Sequence, residues 1–266
     1  MLLSMSMYLP ILYNGPDICG VKIIIFTAIT IVNMNIVITG ATKGIGKALA
    51  AKFLSEGHHV ILNSSQQKNI EALRQEFQQY IQQNTLNTFV TDMGSKADIL
   101  AFCNQVVSVF DRVDVLVNNA GVFIPGKLSD TSHDNLFNQL NINLMSAYYC
   151  TRGLIEDMIK IRSGHIVNIC SVASLQAYPN GGAYSVSKFA LLGFGKCLRE
   201  ELMPYHIRVT NIMPGATLTD SWAGTDLPQD RFIDVHDLAH IIYTACTIGK
   251  NSVVEDIVVR PLQGDI

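Results

Sequence analysis

The sequence predicts a doubly wound α/β fold, and three observations predict it. From Asn35 onward, short β-branched runs alternate with longer helical patterns. The strand runs are apolar at successive positions, as in strands buried on both faces. A glycine-rich turn closes the first of these runs and opens the first helix. Alternating strands and helices imply right-handed crossovers and a parallel sheet. The result is a single-domain Rossmann fold, α/β, with a seven-stranded parallel sheet and helices on both faces. Ligands in such sheets sit beyond the carboxyl ends of the strands, where the strand order reverses.

The apolar runs are NIVIT, HVIL, NTFVT, VDVLVN, HIVNI, IRVTNI and DIVV. Between them the spacing predicts helices over 44–56, 67–83, 96–110, 132–161, 184–203 and 235–248. The catalytic domain is expected over 34–266, beginning at Met34 directly before the first strand. Upstream, residues 1–33 are apolar, but their longest uncharged run, IIIFTAITIV, is too short to cross a bilayer as a helix. No Lys or Arg precedes Lys22, which makes this a poor signal peptide. A poorly ordered extension is expected there.

With 266 residues and 48% hydrophobic content, the chain can bury one substantial core. A net charge of −3 and scattered basic residues offer nothing to nucleic acid or an anionic membrane surface. The six cysteines lie far apart with no C-x-x-C, the pattern of reduced thiols in a cytoplasmic protein. The histidines form no metal-ligating constellation, so no metal is expected.

NIVITGATKGIGKALA carries the first chemistry. Gly40, Gly44 and Gly46 let the backbone turn tightly and approach a pyrophosphate, with Thr42, Lys43 and Ile45 completing the turn. The helix opening near Ile45 offers unpaired N–H groups and a positive dipole end. A glycine-rich turn without a ligand is the bland alternative.

The spacing G-x-x-x-G-x-G resembles the short-chain dehydrogenase/reductase family, in particular its NADP-dependent carbonyl reductase-like branch. NNAG at Asn118, Asn119, Ala120 and Gly121, IVNICSVAS, YSVSK and NIMPGATLT match the family's later motifs in order, over residues 35 to about 220. The resemblance implies catalytic roles for Asn143, Ser171, Tyr184 and Lys188, and cofactor contacts at Asn118, Ala120, Gly121, Tyr184 and Lys188. Physical chemistry supports the pair in YSVSK: residues four apart share a helix face, and a lysine beside a phenol eases its ionisation. Ser171 would hold the substrate oxygen by a hydrogen bond. Asn143 would complete a proton relay with the lysine through a water, with Asn141 as its nearby competitor. Cys170 reads as a small buried residue and Ser174 as either a substrate contact or a loop residue.

NADP(H) is favoured over NAD(H). The second strand ends in Asn63, Ser64 and Ser65 with no acid to repel a 2′-phosphate, and Lys43 can reach such a group. The family's usual arginine on this strand end is missing. Asp92 resembles the acid that binds the adenine amino group, or else caps a turn. Pro214, Gly215, Thr217 and Thr219 lie where the family holds the nicotinamide carboxamide. Trp222 reads as a pocket wall or as an aromatic packed under a loop.

The resemblance implies an NAD(P)-dependent oxidoreductase moving a hydride between NADP(H) and a carbonyl or secondary alcohol, a small molecule, with Tyr184 handling the proton. A 3-oxoacyl-thioester reductase and a non-catalytic NADP-sensing protein are the alternatives. A homodimer or homotetramer is expected, with no nucleic-acid or membrane partner.

Overall fold

The computed structural model describes residues 8–11, 25–28, 33–130, 132–222 and 224–266. The chain divides into two compact units, Met1–Asn33 and Met34–Ile266. In the first, β1 (Tyr8–Ile11) and β2 (Ile25–Ala28) form an antiparallel pair. The expected disorder of residues 1–33 otherwise falls outside the described residues. Among the described residues, no helix is long and apolar enough to cross a membrane.

The second unit holds a seven-stranded parallel sheet. Its strands are β3 (Asn35–Ile38), β4 (His59–Ser64), β5 (Leu86–Val90), β6 (Val115–Asn118), β7 (Gly164–Ile169), β8 (Ile207–Pro214) and β9 (Asp256–Val259). They lie in the order β5-β4-β3-β6-β7-β8-β9. The order reverses between β3 and β6, and a crevice opens there.

Alternate residues of each strand enter opposite cores, which is why the runs read as continuously apolar. Ile36 and Ile38 of β3 join one cluster with Leu49, Phe53 and Ile242. These come from α1 (Gly44–Ser55) and α8 (Val235–Thr247). Val37 joins the other, with Phe102, Val106, Leu154 and Met158 of α4 (Lys96–Val109) and α6 (Ser146–Ile161). Fully burying such side chains contributes roughly 1.5–3 kcal/mol each, so both faces hold the sheet.

Three helices depart from their expected extent by more than one residue. The segment 67–83 splits into α2 (Gln67–Glu76) and α3 (Gln78–Gln82), because Phe77 leaves helical geometry and seats its ring in the core. The segment 132–161 is α5 (His133–Leu140), one π-helical turn over Asn141–Met145, and α6. There the N–H of Ser146 bonds to the carbonyl of Asn141, five residues back. The helix bearing Tyr184 and Lys188, α7 (Gly182–Leu202), begins two residues earlier than expected.

A polar row crosses the sheet beneath α7. Asn118, Asn168, Asn211 and Asp256 stand in register on four adjacent strands. Each amide donates to the next side chain: Asn118 to Asn168 (3.0 Å), Asn168 to Asn211 (3.1 Å), Asn211 to Asp256 (3.1 Å). Lys196 of α7 closes the row with an ion pair to Asp256. Gly195 lets the helix descend onto it, since a Cβ there would lie 2.8 Å from the Asn211 Cγ.

Candidate active site

A cleft of about 790 Å³ runs along the carboxyl ends of the strands. At one end, Gly40 (φ +62°) and Gly44 (φ +53°) hold left-handed backbone that a side chain would strain. Gly46 serves packing instead: its Cβ would lie 2.5 Å from Asn119 Nδ2 and 2.8 Å from Ala41 Cα. α1 starts at Gly44 with no side-chain cap and no acid in its first turn. Its free N–H groups therefore open on the cleft, which suits a phosphate. A Cβ at Gly40 would lie 2.9 Å from Ala120 Cα, so glycine keeps this turn and the β6 turn in contact.

Thr42, Lys43, Ile45, Ser64, Ser65 and Asp92 line this end. Thr42 Oγ1 donates to Ser64 Oγ at 3.1 Å. Lys43 pairs with Asp220 at 3.6 Å, both side chains being largely exposed, so its charge is shared across the cleft mouth. Asp92 accepts the N–H of Gly94 at 2.8 Å and still faces the cleft; it is both turn residue and cleft residue.

Ala120 and Gly121 line the cleft, whereas Asn118 does not. Its side chain is buried, with Nδ2 donating to Asn168 and Thr151, so that side chain braces the sheet instead of lining the cleft. Asn119 lines the cleft instead; its Nδ2 donates to the carbonyls of Thr39 and Gly40 at 2.9 Å. Thr39 Oγ1 accepts the N–H groups of Asn119 and Ala120 at 3.0 Å. The second asparagine of NNAG and the threonine before Gly40 were the signals for this knot.

At the other end, Ser171 follows β7 and caps a short 3-10 turn over Val172–Ser174. Its Oγ accepts the N–H of Ala173, and Ser174 Oγ accepts the N–H of Ser171. Tyr184 and Ser171 both line the cleft, and the Ser171 hydroxyl bears on the phenol closely enough to favour its ionisation. Lys188 is buried, donates from Nζ to the carbonyl of Ile169 at 2.8 Å, and stands 5.7 Å from the Tyr184 ring centre. Pro214, Gly215, Thr217 and Thr219 close the cleft after β8, with Thr219 against Gly44.

Asn143 is buried behind Gly121, whose Cβ would lie 3.3 Å from Asn143 Oδ1 and 3.5 Å from Lys188 Nζ. Its Oδ1 accepts the N–H of Val122 at 2.7 Å. Its Nδ2 donates to the carbonyl of Val122 at 3.0 Å and to Ser187 Oγ at 2.8 Å. The side chain thus clamps the β6 turn to α7.

Burial sets the electrostatics. It pulls Lys188 from 10.5 down to about 8. It pushes the Tyr184 phenol up, against the Ser171 hydroxyl, which pulls it down. Burial, not the charge of Lys188, is the largest influence on this phenol. Cys170 is buried and pushed up to about 11, the state of an inert thiol.

A doubly wound parallel sheet with a glycine cradle at its switch point and a Ser–Tyr–Lys cluster facing it defines a dinucleotide-binding α/β protein. The family model described as short chain dehydrogenase matches residues 34–229, and the chain belongs to that family of oxidoreductases. A sepiapterin reductase from Chlorobaculum tepidum is 31% identical over 239 residues, covering 87% of this chain and 97% of its own. A metagenomic short-chain oxidoreductase in complex with NADP superposes with a TM-score of 0.74 at 29% identity, over 86% of this chain and 96% of that one. L-sorbose reductase from Gluconobacter frateurii, complexed with NADPH and L-sorbose, gives 0.78 at 26% identity, over 86% and 95%.

Proposed function

We propose that the protein is an NADP(H)-dependent carbonyl reductase or secondary alcohol dehydrogenase. The observation that carries this reading is the gathering of Ser171, Tyr184 and Lys188 on one cleft long enough for a dinucleotide, with Lys188 buried 5.7 Å from the Tyr184 ring centre. The glycine turn and the start of α1 bind the pyrophosphate. Thr42, Lys43, Ser64 and Ser65 receive the 2′-phosphate, with no carboxylate at the end of β4 to repel it. Asp92 takes the adenine amino group, and Pro214, Gly215, Thr217 and Thr219 hold the carboxamide. The NADP and NADPH complexes among the structural relatives support the same preference.

Bound nicotinamide supplies or accepts the hydride, and its positive charge when oxidised favours phenolate. Ser171 Oγ donates to the substrate oxygen and orients the carbonyl. Tyr184 passes its proton to that oxygen during reduction, or takes it from the alcohol in reverse. Lys188 holds a ribose hydroxyl and stabilises the phenolate; Asn143 positions the β6 turn beside it. A cytoplasmic homodimer or homotetramer belongs to the same reading, supported by the exposed Tyr148, Val186 and Phe189 on α6 and α7.

The test is oxidation of NADPH, with NADH in parallel, against aldehydes, ketones, 2-oxo acids and 3-oxoacyl thioesters. Turnover that Tyr184→Phe loses supports the reading. Tight NADPH binding without turnover sinks it in favour of a sensor.

A further inference from the structure

Resting on that reading, we infer that the substrate of this cleft is an uncharged ketone carrying a planar aromatic ring next to its carbonyl, an aryl ketone, and that Phe123 and Tyr178 are its specificity-determining residues. Both rings line the cleft beside the catalytic phenol. Phe123 meets Tyr184 edge-on, ring centres 5.1 Å apart and planes at 78°. It lies 6.4 Å from Tyr178 at a tilt of 37°, so the two do not stack on each other. They remain 51% and 41% exposed, and rings left this open beside a reacting group are surface awaiting cover. Gly181 gives Tyr178 its seat, because a Cβ there would lie 2.6 Å from the ring. Trp222 also lines the cleft, braced edge-on by Phe232 at 5.0 Å. Phe123 and Tyr178 therefore present ring to whatever stands beside the Tyr184 phenol.

Charge points the same way. Among the described residues lining this end, Arg260 is the one guanidinium, and it is paired with Asp265. Lys188 is buried, bonded to the carbonyl of Ile169 and committed to the ribose and the phenol in the reading above, and Lys43 is paired with Asp220 beside the glycine turn. A substrate carboxylate or phosphate finds no free counter-charge, while a neutral ring finds aromatic walls and the amide of Gln176.

The experiment follows NADPH oxidation with three ketones: acetophenone, cyclohexyl methyl ketone with the same carbon count but a puckered ring, and benzoylformate with the same aryl ring plus a carboxylate. Leucine at either position keeps an apolar side chain and removes the π face. Phe123→Leu and Tyr178→Leu are expected to lower kcat/KM for acetophenone about tenfold and for cyclohexyl methyl ketone less than threefold, a comparison that cancels the ketones' unequal reactivity. The KM of the wild-type protein for benzoylformate is expected at least tenfold above that for acetophenone. Equal losses on both methyl ketones, or a benzoylformate preference that Arg260→Met abolishes, overturn the inference. Reduction of 2-butanone serves as the separate check on the reductase reading. Should no ketone be reduced, that reading fails, and saturation transfer to ligand protons in the protein–NADP⁺ complex still judges this one. Transfer to acetophenone that both leucine variants lose supports it, and equal transfer to the cyclohexyl ketone overturns it.

Discussion

Replacing Lys188 with methionine should abolish turnover and, at neutral pH, relieve the fold of a cost. Methionine is of similar length and needs no hydration, whereas the ammonium is fully enclosed, with the Ile169 carbonyl its one hydrogen-bond partner. Burial lowers the lysine from 10.5 to about 8. The folded chain therefore gives up its proton before the unfolded chain does. Between these two values the unfolded state binds more protons, and stability rises with pH. Integrating the linkage relation, burying Lys188 costs about 3 kcal/mol at pH 7, where it keeps its proton, and about 1.4 kcal/mol at pH 9.5, where the folded chain has given it up. Loss of the bond to Ile169 costs the variant about 1–3 kcal/mol at either pH, so the absolute change at pH 7 is small. The pH dependence of the difference is the clean readout. Urea unfolding of the apoprotein should show wild type gaining about 2 kcal/mol on Lys188→Met between pH 7 and 9.5. A difference constant to within about 0.5 kcal/mol over that range would refute the buried-cation argument.

Three further outcomes are expected. His165 is buried, donates from Nε2 to Thr210 Oγ1 and leaves Nδ1 unpartnered, and burial pulls it to about 3. The unfolded chain takes up that proton first as pH falls below 6.5, so stability should drop by about 2.5 kcal/mol between pH 7.5 and 4.5, and His165→Gln should flatten that limb of the urea midpoint profile. Gly195→Ala drives a methyl into Asn211 and should cost about 1–3 kcal/mol by chemical denaturation, while Gly193→Ala, where nothing lies within 4 Å, should leave the midpoint unchanged or raise it. Lys43→Met should weaken NADPH binding about three- to tenfold with little effect on NADH, read by fluorescence titration; equal losses for both would place Lys43 at the shared pyrophosphate.

The strands and the catalytic spacing were legible because they rest on local rules. Continuous apolar runs mark doubly buried strands, glycines mark a turn that admits no Cβ, and Tyr184 and Lys188 share a face by helical geometry alone. What stayed hidden depends on neighbours distant in sequence. Nothing in NNAG says that Asn118 points into the sheet while Asn119 ties the turn, since that follows from which face of β6 meets Asn168. The break at Phe77 is a ring choosing the core over helical geometry. The π turn at Asn141–Met145 sets Asn143 against Val122, a contact across 21 residues. Spacing puts Lys188 beside Tyr184 but does not report the burial that raises the phenol. The pairing of Lys43 with Asp220 and of Arg260 with Asp265 joins loops that only the finished sheet brings together.

The row of amides from Asn118 to Asp256 has a consequence for how this sequence can change over time. Every donor in it faces the same way, so the row behaves as a directed wire anchored at one carboxylate. Swapping Asn168 or Asn211 for an apolar residue strands a donor on one side and an acceptor on the other, in a place water does not reach. Sliding β7 or β8 by a residue does the same to both its neighbours. Positions 118, 168, 211 and 256 are thus bound to a common fate across most of the length of the sheet-forming chain. Drift that is harmless elsewhere in the sheet must here occur in concert, and double-mutant cycles between rungs should show it as strong non-additivity.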